Sequence, residues 1–113
     1  MMREQSQQPL KLGERAIFSK AVGYEIYLLR KRRLLTGKKL AELLNISQQQ
    51  ISRYERGVCN ITIDMLILVL TVLDMPIDEF ISRTLVRISA LKFEHGYVSK
   101  DIFFENNKIS NIG

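Results

Sequence analysis

The sequence predicts an all-α fold, and three observations carry that expectation. Apolar residues recur at helical spacing, at Val22, Ile26 and Leu29 and again at Leu40, Ala41, Leu43 and Leu44. Thr36, Ser47, Thr62 and Asp78 stand before such stretches, where a side-chain oxygen can accept a first-turn N–H. Asn45, Gly57 and Pro76 follow them, and each is a residue type at which helices stop. With 113 residues, 46% hydrophobic and 26% charged, the chain suits one small domain with tails.

Taken in order, residues 1–10 hold few large apolar groups, and a mobile tail is expected there. Residues 11–19 include Leu12, Ala16, Ile17 and Phe18, which suits a short helix adding to the core or to a subunit contact. The first firm helix is expected from about Ser19 to Leu34, with Val22, Ile26 and Leu29 as its inward stripe. A second helix follows Thr36. A third runs from about Gln48 to Arg56, burying Ile51 and Tyr54. The fourth, about Ile63–Leu73, is apolar nearly all round, which suits a central place or a partial subunit contact. Asp78 is expected to cap the fifth, which carries Phe80, Ile81 and Leu85 and continues through Ile88 and Leu91 to about Phe93. Residues 97–112 include Ile102, Phe103, Phe104 and Ile109, too apolar for a plain disordered tail. They fit either a return onto the core or a homodimer interface.

The stretch Thr36–Gly57, TGKKLAELLNISQQQISRYERG, carries the functional signal. With Ile51 and Tyr54 inward, the third helix leaves Gln48, Gln49, Ser52 and Arg53 outward and Gln50 to one side. Amide, hydroxyl and guanidinium groups in such a row can bond to base edges, Gln to adenine and Arg to guanine. A soluble Gln-rich surface helix is the competing reading.

The pieces LLRKRR at 28–33, LAELLNIS at 40–47 and QQQISRYERG at 48–57 together resemble the Cro/C1-type (XRE) helix-turn-helix of phage repressors and bacterial regulators. The resemblance runs ungapped over roughly residues 22–81. It implies a five-helix lambda-repressor-like DNA-binding domain with N- and C-terminal extensions, here residues 20–84 between 1–19 and 85–113. It further implies that Gln48 and Gln49 reach deepest into the major groove, with Gln50 and Ser52 as secondary contacts. Arg53 would take a guanine or a phosphate. Thr36, Lys38, Lys39, Ser47, Arg56 and Asn60 would touch the DNA backbone, which gives affinity and register rather than base choice. Arg30 and Glu55 fill the places of a structural ion pair that orients the third helix. Two positions depart from the pattern. Gly37 stands where a Gln commonly holds a phosphate, and Leu34 where Gly is frequent, which suggests a less sharp connection or a longer first helix. The layout is also similar to regulators encoded in enterobacterial fimbrial operons (MrpJ-like), which implies control of adhesin and flagellar genes.

The formal charge of +5 is unevenly spread. Residues 1–60 hold 12 Lys/Arg against 5 acids, net +7, and residues 61–113 hold 5 against 7, net −2. A polyanion partner is the simplest reason for that asymmetry, a solvated basic face is the alternative, and double-stranded DNA is the polyanion the resemblance implies. No signal peptide or membrane-length apolar run is visible, and the lone Cys59 cannot form an internal disulfide. A cytoplasmic location without membrane contact is therefore expected, and the resemblance implies a homodimer. His95 has no cluster of partners at metal spacing, and no nucleotide-binding glycine loop or catalytic set stands out. No enzyme activity, cofactor, metal or small-molecule ligand is expected. The competing class is an antitoxin-type module that binds a partner protein through its C-terminal segment.

Overall fold

The computed structural model describes residues 12–94, and these form five helices with no strand among them. They are α1 (Leu12–Arg32), α2 (Gly37–Leu44), α3 (Gln48–Arg56), α4 (Ile63–Val72) and α5 (Ile77–Glu94). Residues 95–113, the segment of the expected tail contact, and residues 1–11 lie outside the described part.

Three helices begin on a hydroxyl cap. The Thr36 hydroxyl accepts from the Lys39 N–H at 3.0 Å, Ser47 from Gln50 at 3.0 Å, and Thr62 from Met65 at 3.3 Å. Four helices end alike, on a residue in the left-handed region: Leu34, Asn45, Gly57 and Asp74. At each, two N–H groups turn back to carbonyls of the last turn, as Leu34 does to Lys31 and Leu35 to Arg30. Only one of the four is glycine.

The structure departs from the sequence expectation at three places. The expected short helix at 11–19 and the helix from Ser19 are one continuous α1, and Ile17 on its first turns is buried. The helix gains from α5, which packs along it: the Lys92 ammonium lies 5.0 Å from the Phe18 ring centroid, and Arg87 pairs with the buried Glu25. Leu34 does not soften or lengthen the first connection. α1 stops at Arg32, and Leu34 takes φ +60° to make the turn a glycine would make. Asp78 does not cap α5, because the helix already begins at Ile77 and Asp78 lies within its first turn, where its charge suits the helix dipole.

The core gathers all five helices. Ile26 and Leu29 of α1, Leu40 and Ala41 of α2, Ile51 of α3, Leu66, Val69 and Leu70 of α4, Leu73 just beyond it, and Phe80 of α5 form one buried cluster. Arg33 ties the end of α1 to the α4–α5 corner, its Nε donating to the Leu73 carbonyl at 2.7 Å and its Nη2 to Asp74 at 2.9 Å. α4 is not buried all round: Ile63, Ile67 and Leu68 are exposed.

α1 and α3 approach each other closely at Gly23. A Cβ added at Gly23 would lie 2.1 Å from the Tyr54 carbonyl oxygen and 2.8 Å from that of Glu55. Glycine within a helix costs about 0.5–1 kcal/mol against alanine. Here it lets the backbone of α3 rest on α1.

Two stability changes follow. Gly23→Ala should lower stability by about 1–3 kcal/mol despite its better helix propensity, because backbone atoms must give way. Thermal unfolding followed by circular dichroism checks this, and an unchanged Tm would refute the close-approach role. Leu34→Gly should raise stability by about 1 kcal/mol, since the left-handed conformation penalises any Cβ and the 91% exposed Leu34 side chain packs on little. Urea titration should move the midpoint upward at constant slope.

Candidate nucleic-acid interface

α3 is positioned by its buried side. Ile51 enters the core and Tyr54 is half-buried. Glu55 takes a bidentate grip on Arg30: Nε donates to Oε2 at 2.7 Å and Nη2 to Oε1 at 3.0 Å. The third direction of the same guanidinium donates from Nη1 to the Leu35 carbonyl at 2.8 Å. The side chains of this pair are 11% and 9% exposed. The Glu55 hydrogen bond raises the Arg30 pKa, burial opposes it, and the Glu55 charge adds to the rise. A desolvated pair of this kind contributes orientation more than net stability. It fixes α3 against α1 and against the connection that leads into α2 together.

Opposite the buried side, α3 offers polar groups. Gln48, Gln49, Ser52 and Arg53 are exposed. Ser47, Gln49, Gln50, Ser52, Arg53 and Arg56 surround one shallow polar depression on the surface. Gln48 lies apart from it, toward Gly37 at the start of α2. Gln50 is half-buried and its Nε2 donates to Cys59 Sγ at 3.4 Å, so it is tied to the following loop as well as open to this depression. Arg56 Nε donates to the Ser52 hydroxyl at 3.2 Å, one turn back.

The expected backbone-contact residues flank this face. Lys38 and Lys39 are exposed in the first turn of α2, where no acid offsets them. Their charge opposes the helix dipole, a local cost that an anionic partner would offset. Thr36 and Ser47 already accept backbone N–H groups as caps, leaving their hydroxyl protons to donate. Asn60 is exposed but accepts a bond from the Ser19 hydroxyl at 2.7 Å, which ties the loop after α3 back to α1.

The basic run from Arg30 to Lys39 thus divides in two. Arg30 and Arg33 are spent on internal hydrogen bonds, and Lys31, Arg32, Lys38 and Lys39 remain exposed. Sequence reasoning missed Arg33, Glu25–Arg87 and Gly23. Only Gly23 left a signal, as a glycine interrupting a helical pattern. Among the described residues no group of three metal-capable side chains occurs, and no helix is long and apolar enough to cross a membrane.

Comparison with known proteins agrees with this arrangement. Residues 26–80 match the family described as HTH_3, Helix-turn-helix. Two relatives are named HTH-type transcriptional regulators, RP497 of Rickettsia prowazekii and RC0668 of Rickettsia conorii. Each is 36% identical over 59 residues, 52% of this chain and 45% and 47% of theirs. The chain spans about half the length of these relatives. Among solved structures, the clp gene regulator ClgR of Corynebacterium glutamicum superposes with a TM-score of 0.66 at 19% identity, over 70% of this chain and 84% of its own. A mutant of the restriction-modification controller protein C.Esp1396I gives 0.58 at 27%, over 63% and 90%. Residues 26–80 are thus similar to a helix-turn-helix domain, and the five described helices take a lambda-repressor-like fold.

Proposed function

We propose that this protein is a sequence-specific DNA-binding transcriptional regulator that occupies operator DNA as a homodimer. The observation that carries the reading is α3. Its inner side is fixed by Ile51 and the Glu55–Arg30 pair, and its outer side presents Gln48, Gln49, Ser52 and Arg53 to solvent. Rigid support behind, with directional hydrogen-bonding groups in front, is what base reading in a major groove requires. Lys38, Lys39 and Arg56, with the caps Thr36 and Ser47 and with Asn60, then hold phosphates and set the register. Gln50 takes a secondary role, since Cys59 already holds its amide. The names of the two rickettsial relatives point the same way.

The homodimer rests on apolar surface. Ile67 and Leu68 of α4 and Ile81, Leu85 and Val86 of α5 are between 42% and 57% exposed. A second copy covering them would bury large side chains that water now meets, and two-fold symmetry would present two α3 helices to successive major grooves. Adhesin and flagellar genes enter as targets on the sequence resemblance to fimbrial-operon regulators. The antitoxin reading rests on residues 95–113 and has no independent support among the described ones.

Binding to the promoter fragment of its own operon, measured by fluorescence anisotropy across a salt series, tests base reading. Gln49→Ala combined with Arg53→Ala should remove specific binding, each lost bidentate contact costing roughly 1–3 kcal/mol. Weak, salt-sensitive binding to any DNA should persist. Equal binding of wild type and variant to every fragment would end the proposal of sequence specificity. Leu85→Glu should yield a monomer in sedimentation equilibrium while circular dichroism stays helical, and a dimer that survives the change would move the interface elsewhere.

A further inference from the structure

Beside the DNA face lies an open cavity of about 780 Å³ where α1, α3 and α5 meet. That volume is within the range of small-molecule sites, about 300–1,000 Å³. Its wall is aromatic and apolar. Tyr24 and Tyr27 stack with ring centroids 5.9 Å apart, and Leu91 of α5 lines the cavity with them. Its charged groups are chiefly cations: Lys20 from α1, Arg56 from α3 and Arg87 from α5. The one lining acid, Glu55, is committed to Arg30. Arg87 is paired with Glu25 and stands 4.5 Å from the Tyr24 ring centroid. Lys20 is exposed and pairs with no acid among the described residues.

We infer that this cavity binds a small planar anion, an aromatic carboxylate, with its ring on Tyr24 and Tyr27 and its carboxylate at Lys20 and Arg56. Apolar walls with a few converging cations select such a molecule over a neutral ring or a simple inorganic anion. A consequence rests on the proposed DNA reading. Arg56 and Ser52 belong to α3, so a ligand carboxylate on Arg56 withdraws that side chain from a DNA phosphate.

The full chain, isotopically labelled, is titrated with 1-naphthoate and separately with its neutral counterpart 1-naphthamide, and amide shifts are followed by NMR. Saturable shifts should centre on Lys20, Tyr24, Arg56, Arg87 and Leu91. The carboxylate should bind about tenfold more tightly than the amide, the difference one charge-assisted contact supplies. Lys20→Ala should erase most of that preference, and Tyr24→Leu should weaken both probes. No saturable shifts up to about 1 mM, equal affinity for the two probes, or shifts centred on Ile67 and Leu85 would overturn the site. So would shifts that appear only after residues 95–113 are removed, which would give the cavity to the chain's own C-terminal segment. Naphthoate binding that lowers promoter affinity supports the link to DNA. Binding that leaves promoter affinity unchanged supports the site and overturns the link, whereas failure of the DNA reading itself shows in the promoter titration without probe.

Discussion

The contact between α1 and α3 is the constraint on which the remaining structure depends. It is close on both sides. A Cβ at Gly23 would strike the carbonyl of Tyr54, and a Cβ at Gly57 would lie 2.6 Å from the Cα of Lys20. Two glycines, one within α1 and one just past α3, therefore let two backbones meet at consecutive points. The Arg30–Glu55 pair adds a third, at the far end of the same seam. Each element carries a local cost: a glycine inside a helix, and a nearly buried ion pair that must be desolvated. Those costs make sense where the angle of α3 matters more than the last increment of stability. A helix that reads base edges is such a case, because hydrogen bonds to bases weaken steeply as geometry departs from linear.

The helix boundaries were legible in the sequence wherever they depend on local chemistry. Thr36, Ser47 and Thr62 cap as their hydroxyls predict, and Asn45 and Gly57 take the left-handed conformation expected of them. Asp74 also takes it, as a short polar side chain can, whereas Leu34 does so without a residue signal, because the turn is imposed by what must pack after it. Leu35 belongs to the packed surround of the core, and Arg33 has to reach the carbonyls of Leu73 and Asp74. The Arg33 bonds act across 40 and 41 positions of sequence, and no local pattern records them. Asp78 failed for the opposite reason. An acidic residue favours the first turn as well as the cap, and composition does not separate the two places.

The outer face of α3 was legible because a helical period fixes which residues oppose Ile51. What that face retains was less so. Gln50 is drawn toward Cys59, Ser52 accepts from Arg56, and Asn60 holds Ser19. The basic run 30–39 likewise read as one electrostatic feature, yet two of its arginines are structural. Arginine supports both roles, since its planar fork can serve carbonyls and carboxylates as readily as phosphates. Charge counts therefore overstate the cations free for an anionic partner, and the surplus over residues 1–60 is an upper bound on that surface.

α5 links these themes. Phe80 in its first turns enters the common core, and its later turns lie along α1 through Arg87–Glu25 and Lys92–Phe18. The same helix carries the exposed Ile81, Leu85 and Val86. In a homodimer formed through those residues, the partner would press on the helix that braces α1, and α1 holds α3 at Gly23. Packed interiors deform little, so displacement at one end of such a path is carried rather than absorbed. The separation of two α3 helices would then be set by side chains remote from DNA. The cavity bounded by Tyr24, Arg56 and Arg87 lies across that path, touching each of its three helices. A molecule seated there would contact α1, α3 and α5 at once, and in the proposed dimer a change in its occupancy would alter the spacing of the two α3 helices as well as the freedom of Arg56.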